Sequence, residues 1–311
     1  MLPGIWSQVV DLSLVVVLLR LMTPILLSAL GGLISDIGGV MNIGLEGLML
    51  LSAFTSIAVC SATGSWAYGA AAGVAVSVIT CYLMGFFSIR MKVDIIVAGF
   101  AVNIFGSGVT IFLMSKLFGV TGNYSPSGLQ GIPHLDIPGV RDIPLIGAAL
   151  TGHNLMVWVA LASVLFCVFL IYRTTYGVHL RAAGEAPEAA KSLGLRVDRL
   201  KYSALAWSGV FAGLAGAYLS IGKTGMFVKD MTAGTGFLAL AVVLLGNRHP
   251  VGVLVGSFVF GLASALATVA QTTPGSAVPS QFIQGIPYAV TLAALVVFAV
   301  RQKRRAPSKY V

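Results

Sequence analysis

Two polar side chains, Asn42 and Glu46, stand at the start of an otherwise apolar stretch. Their spacing of four residues puts a carboxamide and a carboxylate on one face of a helix. A carboxylate at bilayer depth costs about 2.5–3.5 kcal/mol on insertion scales, so such a group is usually paired or functional. Two interpretations stay open: a polar element that lines a pathway or braces two halves, and a structural hydrogen bond between helices, with Arg20 as one candidate partner.

A second, weaker polar stripe lies in a later apolar stretch. Asn103, Ser107 and Thr110 are spaced by four and three residues, which places them on one helix face. The earlier pair is surrounded by glycines that permit a broken or closely packed helix, at positions 38, 39, 44 and 47.

A third segment has the residues of a short helix in the most charged connection of the chain, 173–201. Pro187 suits the first helical position, and Gly194 suits the position after the last turn. Between them, Glu188 and Lys191 are spaced to face each other. A helix of one or two turns cannot hold itself together in water. It must therefore pack against the membrane body or against a cytosolic partner.

Enzyme and metal motifs are weak or absent in the sequence. The segment 217–224 fits a relaxed phosphate-loop pattern, but an apolar Gly/Ala-rich helix precedes it where a strand is required. The cysteines form no C-x-x-C pair and the histidines do not cluster. We therefore predict no catalytic residues, no metal site and no cofactor. The residues concerned are Cys60, Cys81, Cys167, His134, His153, His179 and His249.

The composition indicates which elements must position these groups. Of the 311 residues, 57% are hydrophobic and only 9% are charged, whereas a soluble domain typically has about 25% charged residues. This excludes most soluble enzymes and a disordered chain. Backbone in lipid must satisfy its own hydrogen bonds, and the apolar stretches do not alternate as barrel strands do, so the stretches are predicted to be helices.

Nine apolar stretches can be counted, eight of spanning length and one short. We predict an all-α, polytopic transmembrane helix bundle of about 8–9 membrane segments, with one short or broken segment, as a single domain over 1–311. The stretches are 10–34, 40–61, 66–89, 93–114, 153–172, 202–222, 232–246, 251–272 and 282–300.

The positive charge is distributed unevenly. The net charge is +9, and fourteen of the nineteen basic residues fall on one predicted side, six of them in 173–201 and five in the C-terminal tail. Short Lys/Arg-rich loops stay cytoplasmic, so 173–201 and the C-terminus are predicted to be cytoplasmic. The charge therefore indicates orientation and not nucleic-acid binding. The side of the N-terminus stays open.

Small residues recur every four positions in two of the stretches. This spacing lets helix backbones approach closely in lipid, so it predicts a tight bundle. The positions are Gly69, Gly73, Ser77, Cys81 and Gly85 in one stretch, and Gly209, Gly213 and Ala217 in another.

The chain resembles the integral-membrane permease subunit of a bacterial ABC importer of the branched-chain amino acid/ribose/nucleoside permease family. The resemblance is closest to the shorter permease of nucleoside (simple-sugar) uptake systems. It covers nearly the whole chain, and its motifs are 38–47, 184–194, 231–241 and the 246–250 turn.

The resemblance implies site residues. The loop helix becomes a coupling helix that docks on a cytosolic ATPase, with Gly184, Glu185, Pro187, Glu188, Ala189, Lys191, Leu193 and Gly194 as coupling residues. We assign to the substrate pathway Asn42, Glu46, Asn103, Ser107 and Phe237.

The resemblance also implies a complex in the bacterial inner membrane. Its other members would be a second, related permease, a cytosolic ATP-binding subunit and an extracytoplasmic substrate-binding protein. The candidate docking loops for the binding protein are 115–152 and 223–231. This chain would itself hydrolyse nothing and would form half of a pathway for nucleosides or related simple sugars. The alternative is a stand-alone, ion-coupled secondary transporter, for which broken midplane helices also fit but which needs no docking helix.

Overall fold

A computed structural model of the chain describes residues 12–126, 128–135 and 152–272, together with positions 285, 289, 290 and 296. In this part, seven helices are long and apolar enough to cross a membrane, and an eighth apolar helix, Thr235–Leu245, is shorter. The prediction of an all-α polytopic bundle with one short segment is confirmed. The ninth predicted stretch, 282–300, lies outside the described residues apart from isolated positions.

Ten helices make up the described bundle. In chain order they are α1 (Leu12–Ile37), α2 (Leu45–Thr63), α3 (Trp66–Gly85), α4 (Ile95–Phe118), α5 (Leu155–Tyr172), α6 (Thr175–Glu185), α7 (Pro187–Ser192), α8 (Val197–Ala217), α9 (Thr235–Leu245) and α10 (Pro250–Thr272). Two helices continue as π-helical segments, α3 through Phe86–Arg90 and α8 through Tyr218–Thr224. Residues 217–224 are therefore helical, and the phosphate-loop match has no strand before it.

Local sequence explains several helix ends. The Asp94 side chain accepts a hydrogen bond from the Ile96 amide at 2.7 Å and caps the start of α4. Asn154 caps α5 in the same way. Such side-chain caps satisfy amides that have no partner within the helix. Gly64 and Gly119 end α2 and α4 with φ of 70° and 68°, a backbone conformation that favours glycine.

The two ends of the bundle differ in structure. At the strand end, β1 (Asn123–Tyr124) pairs antiparallel with β4 (Phe227–Val228), and β2 (His134–Leu135) pairs antiparallel with β3 (His153–Asn154). The opposite end, here called the basic end, is made of residues 36–40, 86–96, 172–201 and 246–249. An ion pair of 3.0 Å between Arg248 and Asp36 connects two of its segments.

Three helices form the centre of the bundle. The most buried membrane-length helices are α8, α2 and α1, and the outer ones are α3, α4, α5 and α10. The α3 glycines lie in close contact with both neighbours, Gly69 against the Ser56 carbonyl of α2 and Gly85 against Leu205 of α8. In the same interface a Cβ on Gly213 would lie 2.7 Å from the Val74 Cα. The close packing predicted from small-residue spacing is confirmed.

Replacing Gly213 with alanine is expected to destabilise the chain by about 1–3 kcal/mol, because the new methyl group would meet backbone in a packed interface. Gly108 is the matched control, since a Cβ there has nothing within 4 Å. Alanine at Gly108 should raise stability slightly, because alanine favours helix over glycine by about 1 kcal/mol. Thermal unfolding of the purified variants measures both changes. Equal effects at the two positions would contradict close packing at Gly213.

Two helix boundaries differ from the sequence prediction, and one helix is additional to it. The second stretch was expected from residue 40, but α2 begins at Leu45, because Gly38–Gly44 form an irregular connection after α1. The 202–222 stretch begins earlier as a helix, at Val197. Helix α6 was not predicted, since the sequence indicated only one or two turns within 173–201. The early start of α8 and the additional helix α6 have one cause, because polar helix turns at the basic end have no hydropathy signal.

Candidate functional site

The Glu46 carboxylate, in the first turn of α2, caps a different helix. Its Oε1 accepts a hydrogen bond from the Gly234 amide at 2.8 Å, and its Oε2 accepts one from the Gly236 amide at 2.6 Å. These amides open α9, where backbone N–H groups lack partners and the helix dipole favours negative charge. Of the two interpretations left open, this geometry fits the structural hydrogen bond between helices. Its partners are the α9 amides and not Arg20.

A glycine makes this contact possible. A Cβ on Gly236 would lie 2.5 Å from the Glu46 amide nitrogen, so only glycine allows α9 to approach α2 this closely. The other end of α9 reaches the basic end, where Arg248 pairs with Asp36. The eleven residues of α9 span about 16 Å. Glu46 therefore lies deep within the bundle, away from both ends.

Asn103 of α4 joins the same region from the other side. Its Oδ1 accepts from the Gly47 amide at 2.8 Å, and its Nδ2 donates to the Ile43 carbonyl at 3.1 Å. The two helices touch at glycine, since a Cβ on Gly47 would overlap the Val102 carbonyl oxygen. Asn103 therefore fixes the first turn of α2 and holds Glu46 in place.

Ser107, one turn further along α4, donates its hydroxyl to Asp230 Oδ1 at 2.7 Å. Asp230 has no role in the sequence prediction, which has 223–231 as a candidate docking loop. In the structure, β4 of this segment lies at the strand end, and the residues after β4 turn back so that Asp230 reaches the middle of α4. A lone carboxylate directly before a short apolar stretch is the signal that could have indicated it.

Asn42 is fully buried and has partners on several elements. Its Nδ2 donates to Ser208 Oγ at 2.9 Å and lies 3.5 Å from Cys81 Sγ, while its Oδ1 accepts from the Gly44 amide at 2.9 Å. It connects the α1–α2 segment to α3 and α8. A solute cannot reach Asn42 in this conformation, so its assignment to the substrate pathway stays a prediction without support from this geometry.

Four of the polar groups share one region, which we call the mid-depth polar face: Glu46, Asn103, Ser107 and Asp230. Phe237, in the first turn of α9, follows directly on Gly236 and is 44% exposed. Thr110 does not join the face, since its hydroxyl donates to the Gly106 carbonyl within α4 at 2.8 Å. The structure thus brings together the predicted Glu46, Asn103 and Ser107 and leaves Asn42 apart.

The predicted loop helix is present as α7. Pro187 occupies its first turn, and the Lys191–Glu188 ion pair measures 3.0 Å. After the helix, Gly194 has φ of 82°, and its amide donates to the Lys191 carbonyl while that of Leu195 donates to Ala190. These two bonds form a Schellman motif, which terminates the helix.

One side of α7 is anchored and the other is free. Ala190 is buried with Ala183 and Val197 in a small apolar cluster. The opposite side exposes several of the predicted coupling residues, and Leu193 is 82% exposed. Those exposed residues are Glu185, Glu188, Ala189, Lys191, Leu193 and Gly194.

Gly184, one of the predicted coupling residues, has a structural contact of its own. It lies within α6 and touches the Ile37 carbonyl and Gly39. Because it has no side chain, Gly184 lets α6 pack directly against the end of α1. The exposed helix α7 is therefore connected directly to the membrane bundle.

In the part of the chain that the structure describes, seven membrane-length helices, a mid-depth polar face and an exposed helix at one end define a multi-pass membrane translocation subunit. The chain belongs to the family described as branched-chain amino acid transport system / permease component, which it matches over residues 14–300.

Several relatives that are ABC transporter permeases are similar to this chain over most of their length. The chain is 30% identical over 285 residues to the nucleoside ABC transporter permease NupC of Lactococcus lactis, covering 89% of each chain. It is 31% identical to the guanosine ABC transporter permease NupQ of Bacillus subtilis, again covering 89% of each. It is 32% identical to the putative glucose ABC transporter permease TsgC13 of Haloferax volcanii, covering 85% of this chain and 79% of the relative.

Proposed function

We propose that this chain forms half of the translocation pathway of an ATP-driven ABC importer for nucleosides or related simple sugars. The observation that carries the proposal is α7, whose ends are set by Pro187 and Gly194 and whose outer side exposes Leu193. Family membership supports transport by a multisubunit system over a stand-alone secondary transporter.

The exposed side of α7 suits a protein partner. A large apolar side chain that is 82% exposed beside charged groups matches the apolar centre and polar rim of a protein interface. The anchored side, through Ala190 and Gly184, would transmit movement of α7 to α1. The partner we propose is a cytosolic ATP-binding subunit, which would hydrolyse ATP while this chain hydrolyses none.

The charges together with the fold support one orientation. The basic end holds the Lys/Arg-rich segments, so we place it and the C-terminus in the cytoplasm of a bacterial cell, in the inner membrane. Helix α1 ends at the basic end, where Asp36 pairs with Arg248. Its first residues then start from the outer side. The strand end would face the extracytoplasmic substrate-binding protein.

The mid-depth polar face would line the pathway. Charged groups at this depth do not face lipid, and they normally face a bundle interior or a water-filled cavity. Asn103, Ser107 and Phe237 would border this path, with Glu46 bracing it from behind. A second permease would close the other side. In support, Lactococcus lactis has another nucleoside ABC transporter permease, NupB, that is 26% identical to this chain over 148 residues.

Reconstitution tests the proposal. The chain would be purified with its second permease and ATP-binding subunit, placed in proteoliposomes, and supplied with the binding protein and labelled uridine. We expect uptake that requires ATP, that is unaffected by collapsing ion gradients, and that unlabelled nucleosides reduce by competition. Competition of unlabelled glucose with labelled uridine measures how far the same pathway accepts simple sugars. Uptake driven by an ion gradient without ATP would contradict the proposal.

A further inference from the structure

One carboxylate oxygen of Asp230 has no hydrogen-bond or ion-pair partner in the part of the chain that the structure describes. Its Oδ1 accepts the Ser107 hydroxyl at 2.7 Å, whereas its Oδ2 has no partner among the residues that the structure describes. The neighbouring Lys229 is exposed and makes no ion pair with it there. A carboxylate with one oxygen hydrogen-bonded and the other free has a defined orientation and can still accept a hydrogen bond from a ligand.

The other described acidic side chains are engaged or lie at the basic end. Glu46 uses both oxygens on the amides of α9, and Asp36 pairs with Arg248. Asp230 is therefore the one described carboxylate that combines a free oxygen with a position away from the basic end. The acidic residues at the basic end are Asp36, Asp94, Glu185, Glu188 and Asp198.

Asp230, in the turn after β4, lies beside the middle of the membrane-length helix α4. Its partner Ser107 stands twelve residues after Ile95, the first residue of α4, which is about 18 Å of a helix about 36 Å long. Asp230 is also exposed. An ionised group at this depth does not face lipid tails, because its desolvation would be uncompensated. The free oxygen must face a polar space, which the pathway supplies.

The backbone holds the carboxylate in its position. Asp230 has φ of 52°, a left-handed conformation that aspartate adopts more readily than most residues. Its carbonyl accepts the Ala233 amide at 3.0 Å, and β4, just before it, pairs with β1. The orientation of the side chain is therefore set before any ligand arrives.

We propose that Asp230 recognises the vicinal hydroxyl groups of a ribose or sugar as the solute passes, an inference that rests on the proposed function. A carboxylate is an acceptor only, so it selects donors such as hydroxyl groups, and an acidic residue contacts ribose hydroxyls in dinucleotide sites. Its charge would also repel phosphorylated analogues, which gives the pathway selectivity for neutral, hydroxylated solutes.

Two variants distinguish recognition of the solute by Asp230 from a purely structural role of its hydrogen bond to Ser107. Asp230→Asn keeps an oxygen that can accept the Ser107 hydroxyl and removes the charge. Ser107→Ala breaks the tie and keeps the charge. Each is assembled with its partner subunits in proteoliposomes, and initial uptake of uridine is compared with that of 2′,3′-dideoxyuridine. Both solutes are used at concentrations that saturate the isolated binding protein, so that the ratio reports on the membrane complex.

We expect Asp230→Asn to lower uridine uptake about tenfold, the effect of losing one hydrogen bond to a charged group, and to leave dideoxyuridine uptake unchanged. Ser107→Ala, which releases one oxygen of the carboxylate, should reduce the preference for uridine by less than Asp230→Asn does. An unchanged ratio in Asp230→Asn, or an equal loss of both solutes, would overturn the role of Asp230 while the proposed function stands. Absence of ATP-dependent uptake of either nucleoside by the unaltered complex would contradict the proposed function itself, and with it this inference.

Discussion

Alanine at Glu46 is expected to have the largest effect of any single substitution on the stability of this chain. The change removes both acceptors from the Gly234 and Gly236 amides and leaves the start of α9 without a cap. Hydrogen bonds to a charged group contribute about 1.5–3 kcal/mol each, so the loss approaches the whole stability of a marginal protein. We expect a lower unfolding temperature in detergent and at least about a tenfold loss of uptake.

Two further variants make this result specific. Glu46→Gln keeps one acceptor oxygen and should fall between the unaltered chain and Glu46→Ala. Glu185→Ala also removes a carboxylate, but an exposed one, and should leave the unfolding temperature unchanged. If Glu46→Ala unfolds and transports like the unaltered chain, Glu46 is an incidental polar residue and the capping of α9 contributes nothing.

Replacing Glu188 and Leu193 together with arginine is expected to abolish ATP-dependent uptake while the protein still inserts and folds. Both side chains are exposed, with Leu193 at 82%, and exposed substitutions change stability by about 0.5 kcal/mol or less. At an interface, however, loss of a central apolar contact and burial of new charge should reduce coupling by more than tenfold, roughly the effect of losing one hot-spot residue. The measurements are membrane insertion, unfolding temperature, uptake and ATPase stimulation by the binding protein.

The control for this experiment lies on the neighbouring helix. Val178 of α6 is also an exposed aliphatic residue, at 54%, so Val178→Arg adds a charge at the same end of the bundle without altering α7. It should retain uptake. Transport that survives Glu188→Arg with Leu193→Arg would rule out α7 as the coupling helix. Equal loss in Val178→Arg would mean that any added charge at this end disrupts the complex.

The membrane-length helices and α7 could be predicted because their signals are local. Hydropathy identifies a spanning helix, since a backbone in lipid must form its hydrogen bonds within the segment. The ends of α7 follow from Pro187 and Gly194, each of which acts on its own turn. The small-residue spacing of α3 likewise indicated close packing, although not which helices α3 packs against.

The partner of Glu46 could not be predicted in the same way. Gly234 lies 188 residues away, and a glycine amide has no signature that distinguishes it from any other. The sequence indicated that the carboxylate needed a partner, and it offered Arg20 by charge. In the structure its partner is the N-terminus of α9. The unpaired amides there carry a partial positive charge, which exists only once the helix has formed.

The sequence by itself determined what this chain is: a multi-pass membrane protein with an exposed short helix on its basic side. Tertiary structure alone decided which groups meet at mid-depth. The segment before α9 is polar, and its sequence is typical of an outer loop. It nevertheless turns inward, because β4 pairs with β1 and Asp230 binds Ser107. Contacts of this kind join residues more than a hundred positions apart, and their free energy depends on a packed geometry that neither segment encodes alone.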